Sequence, residues 1–410
     1  MDRLSALPLE LLDLVCQFVQ LCGAQHIASL RSCNHCLADA ASQYLFSVLV
    51  MGTRKRLLRR IRWVAARPQF AKGVREIEYD VTRYHCHTNT GRSQSRREWL
   101  SSLELDSSWM PTLHSWWNLC HDQLQLLKMT EVENTLVFAL PYFPHVRSAT
   151  ISNRDVALRC QRSLPSYAIG IWTSADQQLH GYDCLLRVFS RSPHELKEFS
   201  VFPQNLNDGE MISAFFLLHS PEREPAIQAT FEHLTIFRLE SAVGCLIRDI
   251  HEVALEATLK TGFIARLLGY ATKLRQVLLT FLCSPCHINE VPFLSVIGEH
   301  RWGSLGQIEL DGVDIQHATD FCEFLNRHSN TITTITLRNI NLMEGQWITV
   351  ADCLRDLPGL CGLLLEGLEV GSCEYLDCVT IMEITDHAMG GRRNNLISDM
   401  DTLLGALNTY

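Results

Sequence analysis

Three stretches toward the C-terminus repeat one arrangement of apolar and polar positions: LGQIELDGVDI from Leu305 to Ile315, ITTITLRNINL from Ile332 to Leu342, and LCGLLLEGLEV from Leu360 to Val370. Each follows L-x-x-L-x-L-x-x-[VIL]-x-[VIL], with equivalent leucines 27 residues apart (Leu310 to Leu337) and then 28 apart (Leu337 to Leu365). The central alternation is that of a strand with one face buried, and the first apolar residue packs from the preceding turn. Ile308 and Leu310, Ile335 and Leu337, and Leu363 and Leu365 are the expected inward pairs. Weaker copies lie upstream at Val74, Ile77 and Tyr79; Val146, Ala149 and Ile151; Leu196, Phe199 and Val201; Phe231, Leu234 and Ile236; and Leu274, Val277 and Leu279. Their separations run from 31 to 72 residues, so the array is irregular. Helical periodicity between them, as in Ala318 to Arg327, Glu252 to Gly269 and Met211 to His219, makes strand, turn and helix the expected unit of an α/β solenoid. A single α/β domain with right-handed crossovers produces the same alternation and remains the alternative.

The first fifty residues differ. Pro8 and Glu10 suit a helix start and Gly23 a stop, which predicts helices over about 8 to 21, 24 to 33 and 35 to 46. In the first of these, Leu11, Leu12, Leu14, Val15, Phe18, Val19 and Leu21 cover more than the stripe a surface helix needs. A unit this small cannot bury all of it, so a partner is expected on the surplus. RKRLLRRIRWVAARP then predicts an amphipathic linker helix within 51 to 70, with Leu57, Leu58, Ile61, Val64 and Ala65 on one face, a solvated arginine face opposite, and an end at Pro68. Insertions are expected near 80 to 130 and 152 to 180. The first carries Trp99, Trp109, Trp116 and Trp117 and a helix near 112 to 129. Residues 371 to 410 are expected to form a cap or tail, with a loop at 390 to 395 and a terminal helix from about Leu396 to Leu407.

Composition narrows the function classes. At 410 residues, with 47 % apolar and 20 % charged residues and a net charge of −9, the chain has ample core and lacks the concentrated basic region of a nucleic-acid binder. No window reads as a membrane span, and MDRLSALPLE does not resemble a secretory leader, so a cytoplasmic or nuclear protein is expected. The 16 cysteines are then expected to be mostly free, buried thiols. Cys33-x-x-Cys36, Cys283-x-x-Cys286 beside His287, and His85-Cys86-His87 invite a zinc reading, but no second metal-spaced pair follows any of them, so no metal or cofactor is expected.

Signatures of chemistry are missing. The chain contains no G-x-x-x-x-G-K-[ST], no G-x-G-x-x-G after a strand and no G-x-S-x-G. Neither His194-Glu195 nor His251-Glu252 is followed by a second histidine at metalloprotease spacing. A non-catalytic protein is expected.

Leu7, Pro8, Glu10, Leu11, Leu12, Val15, Phe18 and Val19, followed by Ile27, Leu30, Arg31, Leu37, Leu45 and Phe46, resemble the F-box, and the downstream array resembles leucine-rich repeats of the irregular kind found in fungal F-box proteins. The fold this implies is α/β, a three-helix F-box over 1 to 50 followed by a leucine-rich-repeat-like solenoid over 71 to 370. Three departures stand out: Cys33, Asn34 and His35 replace the frequent Val-Ser-Lys, the family's frequent late tryptophan is absent, and the ninth repeat position holds Val313, Ile340 and Leu368 in place of Asn or Cys, so an asparagine ladder is missing. The resemblance implies a substrate-recognition subunit of a Skp–cullin–F-box ubiquitin ligase, which accelerates transfer by proximity and needs no catalytic residue of its own. A Skp-binding or protein-binding scaffold without ubiquitination is the alternative. Leu7, Pro8, Leu11, Leu12, Val15, Leu30 and Arg31 match the adaptor-docking positions. An unidentified target protein would meet the outward strand face at Glu309, Asp311, Thr336, Arg338, Leu364 and Glu366, a mixture suited to protein and not to nucleic acid or membrane.

Overall fold

The computed structural model describes residues 7–81, 83–86, 110–128, 130–152, 169–172, 175–202, 222–243, 261–283, 291–371 and 374–390. The helical stretch at 211–219, Cys286 and His287, Trp99 and Trp109, and the terminal helix at 396–407 lie outside them. The chain forms two compact units, residues 1–196 and 197–410.

The first unit begins with helices α1 (Leu9–Leu21), α2 (Ala24–Arg31) and α3 (His35–Ser42). They close on Leu12, Cys16, Ile27, Leu37, Ala40 and Ala41, with Leu7, Val19, Leu30, Tyr44 and Leu45 packed at the edge. Asn34 caps α3, its side-chain oxygen accepting from the Leu37 amide at 2.9 Å. Strand β1 (Val48–Gly52) comes next, a segment absent from the sequence expectation. It makes α4 (Lys55–Ala65) the crossover between two parallel strands and not a linker. Pro68 opens the short helix α5 (Pro68–Ala71) at its first turn, where a missing amide costs nothing. Strands β2 (Glu76–Asp80), β3 (Arg83–Cys86), β4 (Ser148–Ser152) and β5 (Ile169–Trp172) and helices α6 (Met110–Lys128), α7 (Glu131–Ala139) and α8 (Ala175–Ser190) complete the unit.

In this unit β1, β2 and β4 run parallel with equivalent positions opposed: Leu49, Ile77 and Ala149 on one rung, Met51, Tyr79 and Ile151 two residues on. The two expected insertions meet, because β3 and β5 pair antiparallel. Toward the C-terminal ends of β2 and β4 both faces of the ladder are buried, and the polar residues there pair: Ser152 donates to Glu78, and Arg54 forms a buried ion pair with Asp80.

The second unit repeats the scheme. Strands β6 (Glu198–Phe202), β7 (Ile236–Val243), β8 (Gln276–Cys283), β9 (Gln307–Asp311), β11 (Thr334–Arg338) and β13 (Gly362–Glu366) pair in parallel in chain order. Helices α9 (Glu224–Phe231), α10 (Phe263–Tyr270), α11 (Phe293–Ile297), α12 (Ala318–Arg327) and α13 (Trp347–Arg355) lie between them in the chain, and α14 (Cys378–Met389) ends it. The inward pairs read from the three clear repeats are all buried. The copy assigned to Phe231, Leu234 and Ile236 is out of register by three residues: Leu234, Phe237 and Leu239 are the buried set, and Ile236 is half-exposed. The cause is a run of apolar residues long enough to satisfy the pattern in two frames.

The residues standing where an asparagine ladder would be, Val313, Ile340 and Leu368, are fully buried. Turn backbone groups find other partners here. The Gly312 amide donates to Arg338 O at 3.0 Å and the Asn339 amide to Glu366 O at 2.9 Å. Just beyond, β10 (Asp314–His317), β12 (Asn341–Glu344) and β14 (Glu369–Val370) pair in parallel, and β15 (Glu374–Tyr375) adds antiparallel to β14. Backbone pairing does the work that side-chain amides would do, which leaves the ninth position free to be aliphatic.

Candidate functional site

Removing the residues that α1 spends on its own three-helix core leaves a second apolar face. Leu12 and Cys16 are buried and Val19 packs at their edge, whereas Leu11, Leu14, Phe18 and Leu21 are 46 %, 47 %, 69 % and 84 % exposed. At 100° per residue these four fall within one narrow stripe on the side away from the core. Leu9, 68 % exposed, flanks the helix start. Burying one such Leu or Phe is worth about 1.5–3 kcal/mol, so a four-residue stripe left in water is a large unmet driving force for docking.

The expected adaptor-docking set divides on this geometry. Pro8 and Leu11 are exposed and Val15 is half-buried between the two faces. Leu12 belongs to the internal core, and Leu7 and Leu30 pack against it. Arg31 turns inward: its Nε donates to Ser42 Oγ at 3.2 Å and Ala38 O at 3.4 Å, and its guanidinium lies 4.9 Å from the Phe70 ring centroid. Leu14, Phe18 and Leu21 were not among the residues expected to dock; their i+3, i+7 and i+10 spacing from Leu11 was the available signal, readable once the core face is known.

The three-helix region is joined to α4 and α5 by an aromatic cluster. Trp63 of α4 stacks on Phe70 of α5 at 5.1 Å, and Phe46 meets both edge-on at 6.1 and 5.4 Å. Arg60 lies over Phe46 at 4.9 Å and Arg67 over Trp63 at 3.9 Å, so part of the expected solvated arginine face is engaged with ring faces. On the α1 side, Asp13 accepts from the Tyr44 hydroxyl at 2.6 Å and from Gln43 Nε2 at 2.7 Å.

In the second unit the six expected target-facing residues do share one face. Glu309, Thr336 and Leu364 form one row across β9, β11 and β13, and Asp311, Arg338 and Glu366 form the next. Their side chains are not equally available: Asp311 and Thr336 are buried, Glu366 is exposed and the others are intermediate. Arg338 donates to Glu309 and lies 3.4 Å from Glu366, while Asn339 Nδ2 donates to Asp311 at 2.8 Å. Burial lifts the Asp311 carboxyl above its ordinary range against the pull of Asn339 and Arg338, and burial with Asp311 nearby lifts Glu240. The strand register places Glu240 of β7 on this face, opposite Thr280 and through it in the row of Asp311, a residue the misregistered copy concealed.

Among the described residues no group of three or more His, Cys, Asp or Glu is placed to hold a metal ion. Cys33 and Cys36 are exposed, as are Cys22 and Cys378, so the thiols are less uniformly buried than composition suggests. Also among the described residues, no helix is long and apolar enough to cross a membrane. No protein-family model and no curated protein matches the chain.

Proposed function

We propose that this protein is the substrate-recognition subunit of a Skp–cullin–F-box ubiquitin ligase, with α1–α3 as the F-box and the two parallel ladders as an irregular leucine-rich-repeat-like solenoid. The observation that carries the reading is the exposed stripe of Leu11, Leu14, Phe18 and Leu21 on a helix that already has a core face. A Skp adaptor covers it, and the aromatic cluster of Phe46, Trp63 and Phe70 transmits the position of the docked adaptor to the repeats. The protein contributes no catalytic group; it binds a target on the strand face that includes Glu309, Arg338 and Glu366, bringing it within reach of a ubiquitin-charged enzyme on other subunits.

Co-purification of the full chain with Skp and cullin, followed by mass spectrometry, tests this. Wild type is expected to bring down both. Phe18→Asp with Leu14→Asp is expected to lose the adaptor by more than tenfold, since two desolvated anchors of about 1.5–3 kcal/mol each become charged. Leu7→Ala with Pro8→Ala is expected to lose it too, with the repeats still folded. Adaptor binding undiminished by the Asp pair overturns the docking surface. Adaptor without cullin points to the scaffold alternative.

A further inference from the structure

The edge of the first unit from which its parallel strands start carries an unusual charge arrangement. Lys72 and Arg75 lie in the turn that enters β2, and His145 and Arg147 in the turn that enters β4; all four are exposed. The two turns are fastened together, the Arg147 amide donating to Arg75 O at 2.9 Å, while Arg75 itself is anchored to Ser47 O at 2.9 Å. Arg75 Nη1 donates to Lys72 O at 2.7 Å, so its guanidinium is held beside the lysine and not spread into solvent at random. Arg75 and Arg147 occupy the same position of successive repeat strands, which sets their backbones one strand spacing apart, about 4.8 Å.

Three permanent positive charges thus crowd one edge of a chain whose net charge is −9. Among the described residues, no carboxylate forms an ion pair with any of them. The crowding reaches His145: burial, then Arg75, Arg147 and Lys72, hold its imidazole below the ordinary range, and no acidic group opposes them. Like charges left side by side at the surface repel one another, an unfavourable arrangement that an incoming anion relieves.

We propose that this edge is a docking surface for a carboxylate-rich segment of a partner protein, gripped by Arg75 and Arg147 with Lys72 beside them and held more tightly when His145 takes up a proton. The geometry favours an extended acidic peptide over a single phosphate because the cations are spread along successive strand starts and do not converge on an enclosed pocket. It disfavours nucleic acid because the His145 imidazole is the one ring among the four residues, too few to stack successive bases, and the rest of the chain, with its net charge of −9, repels a long polyanion. The surface shares no residue with the α1 stripe, so substitutions in one test it without touching the other.

The probe is fluorescein-labelled hexaglutamate, titrated with the full-length protein by fluorescence anisotropy. Binding at pH 7.5 and low salt is expected, weakening steeply toward about 0.15 M salt as screening sets in. Arg75→Gln with Arg147→Gln is expected to weaken it at least tenfold with an unchanged melting temperature, and Arg59→Gln, an exposed arginine on α4, to leave it unchanged. Lowering the pH from 7.5 to 6 is expected to tighten binding several-fold in wild type and not in His145→Gln. Absence of binding, an equal loss in Arg59→Gln, or preference for inorganic phosphate or oligothymidylate over the peptide overturns the proposal.

Discussion

At the scale of single residues, the repeat turns after β9, β11 and β13 depend on one backbone conformation. Gly312, Asn339 and Gly367 occupy equivalent positions with φ of +69°, +49° and +60°. Gly and Asn are the residues that adopt this left-handed region at least cost. At Gly312 a second constraint is added, since a Cβ would come within 1.9 Å of the Phe281 carbonyl oxygen. Gly262 has a φ of +69° as well but open space around it, which makes it an internal control. Gly262→Ala is expected to cost about 1–2 kcal/mol from strain alone, and Gly312→Ala a further 1–3 kcal/mol because backbone must move. Urea unfolding midpoints of the two variants measure the difference; equal midpoints would show that the strand spacing yields to the methyl group. The eighth repeat position reads Gly, Asn, Gly in the chain. This turn was therefore legible, whereas the second short sheet that replaces the asparagine ladder was not, because backbone pairing leaves no mark on side-chain identity.

At the scale of elements, α1 and α4 show how the surroundings decide the meaning of an apolar helix. The surplus of apolar residues on α1 was plain in the sequence, but which of them face the core depends on where α2 and α3 lie. Helix α4 read as a linker because the five residues of β1 are too short a run to announce a strand; once β1 is paired with β2, the same apolar face becomes crossover packing. Helix α14 was not expected at all. Its β-branched residues Val379, Thr380, Ile381, Ile384 and Thr385 weaken helical propensity, and a capping interaction between Asp377 and the Thr380 amide at 2.8 Å starts it. The aromatic junction gives this scale its prediction. Phe70 is buried beneath Trp63, Phe46 and Arg31, so Phe70→Ala is expected to destabilise the first unit by about 3–5 kcal/mol. It should also release Trp63 from its stack, visible as a red shift of tryptophan emission before global unfolding. A loss below about 1 kcal/mol would mean that the three helices are joined to the first strand by chain connectivity alone.

At the scale of the whole molecule, two histidines link stability to pH, one in each unit. His180 sits against the Tyr79 hydroxyl at 2.7 Å, and burial, then the Arg187 charge, lower its proton affinity against the pull of Asp183 and Glu133. His328 accepts from the Trp302 amide at Nε2 (3.1 Å), which leaves Nδ1 to donate to Phe324 O (2.9 Å) and assigns the neutral tautomer from its hydrogen bonds. Burial lowers it first, and Arg327 and Arg301 add to the effect against the Phe324 carbonyl. Because both are depressed in the native state, the unfolded chain binds more protons as the pH falls below about 6.5, and stability is lost from that point downward by up to about 1.4 kcal/mol per pH unit for each group. Melting temperatures between pH 7.5 and 5 should decline accordingly. His328→Gln, which can keep both hydrogen bonds without titrating, should decline less; an unchanged slope would place the proton uptake elsewhere.

By itself the sequence determined the periodic features: the strand–helix alternation, the inward Leu and Ile pairs of the last three repeats, the helix at Ala318–Arg327, and the apolar excess of α1. These arise from spacing along the chain, and spacing survives without knowledge of neighbours. The tertiary structure alone decided everything that depends on which residues become neighbours. It set the true register at Phe237, enrolled β1 in the parallel ladder and turned Arg31 inward. It also left Leu14, Phe18 and Leu21 in water and gathered Lys72, Arg75, His145 and Arg147 on one edge. Packing partners are set by contacts between residues far apart in the chain, and those contacts, not local pattern, determine which polar or apolar face remains for another molecule.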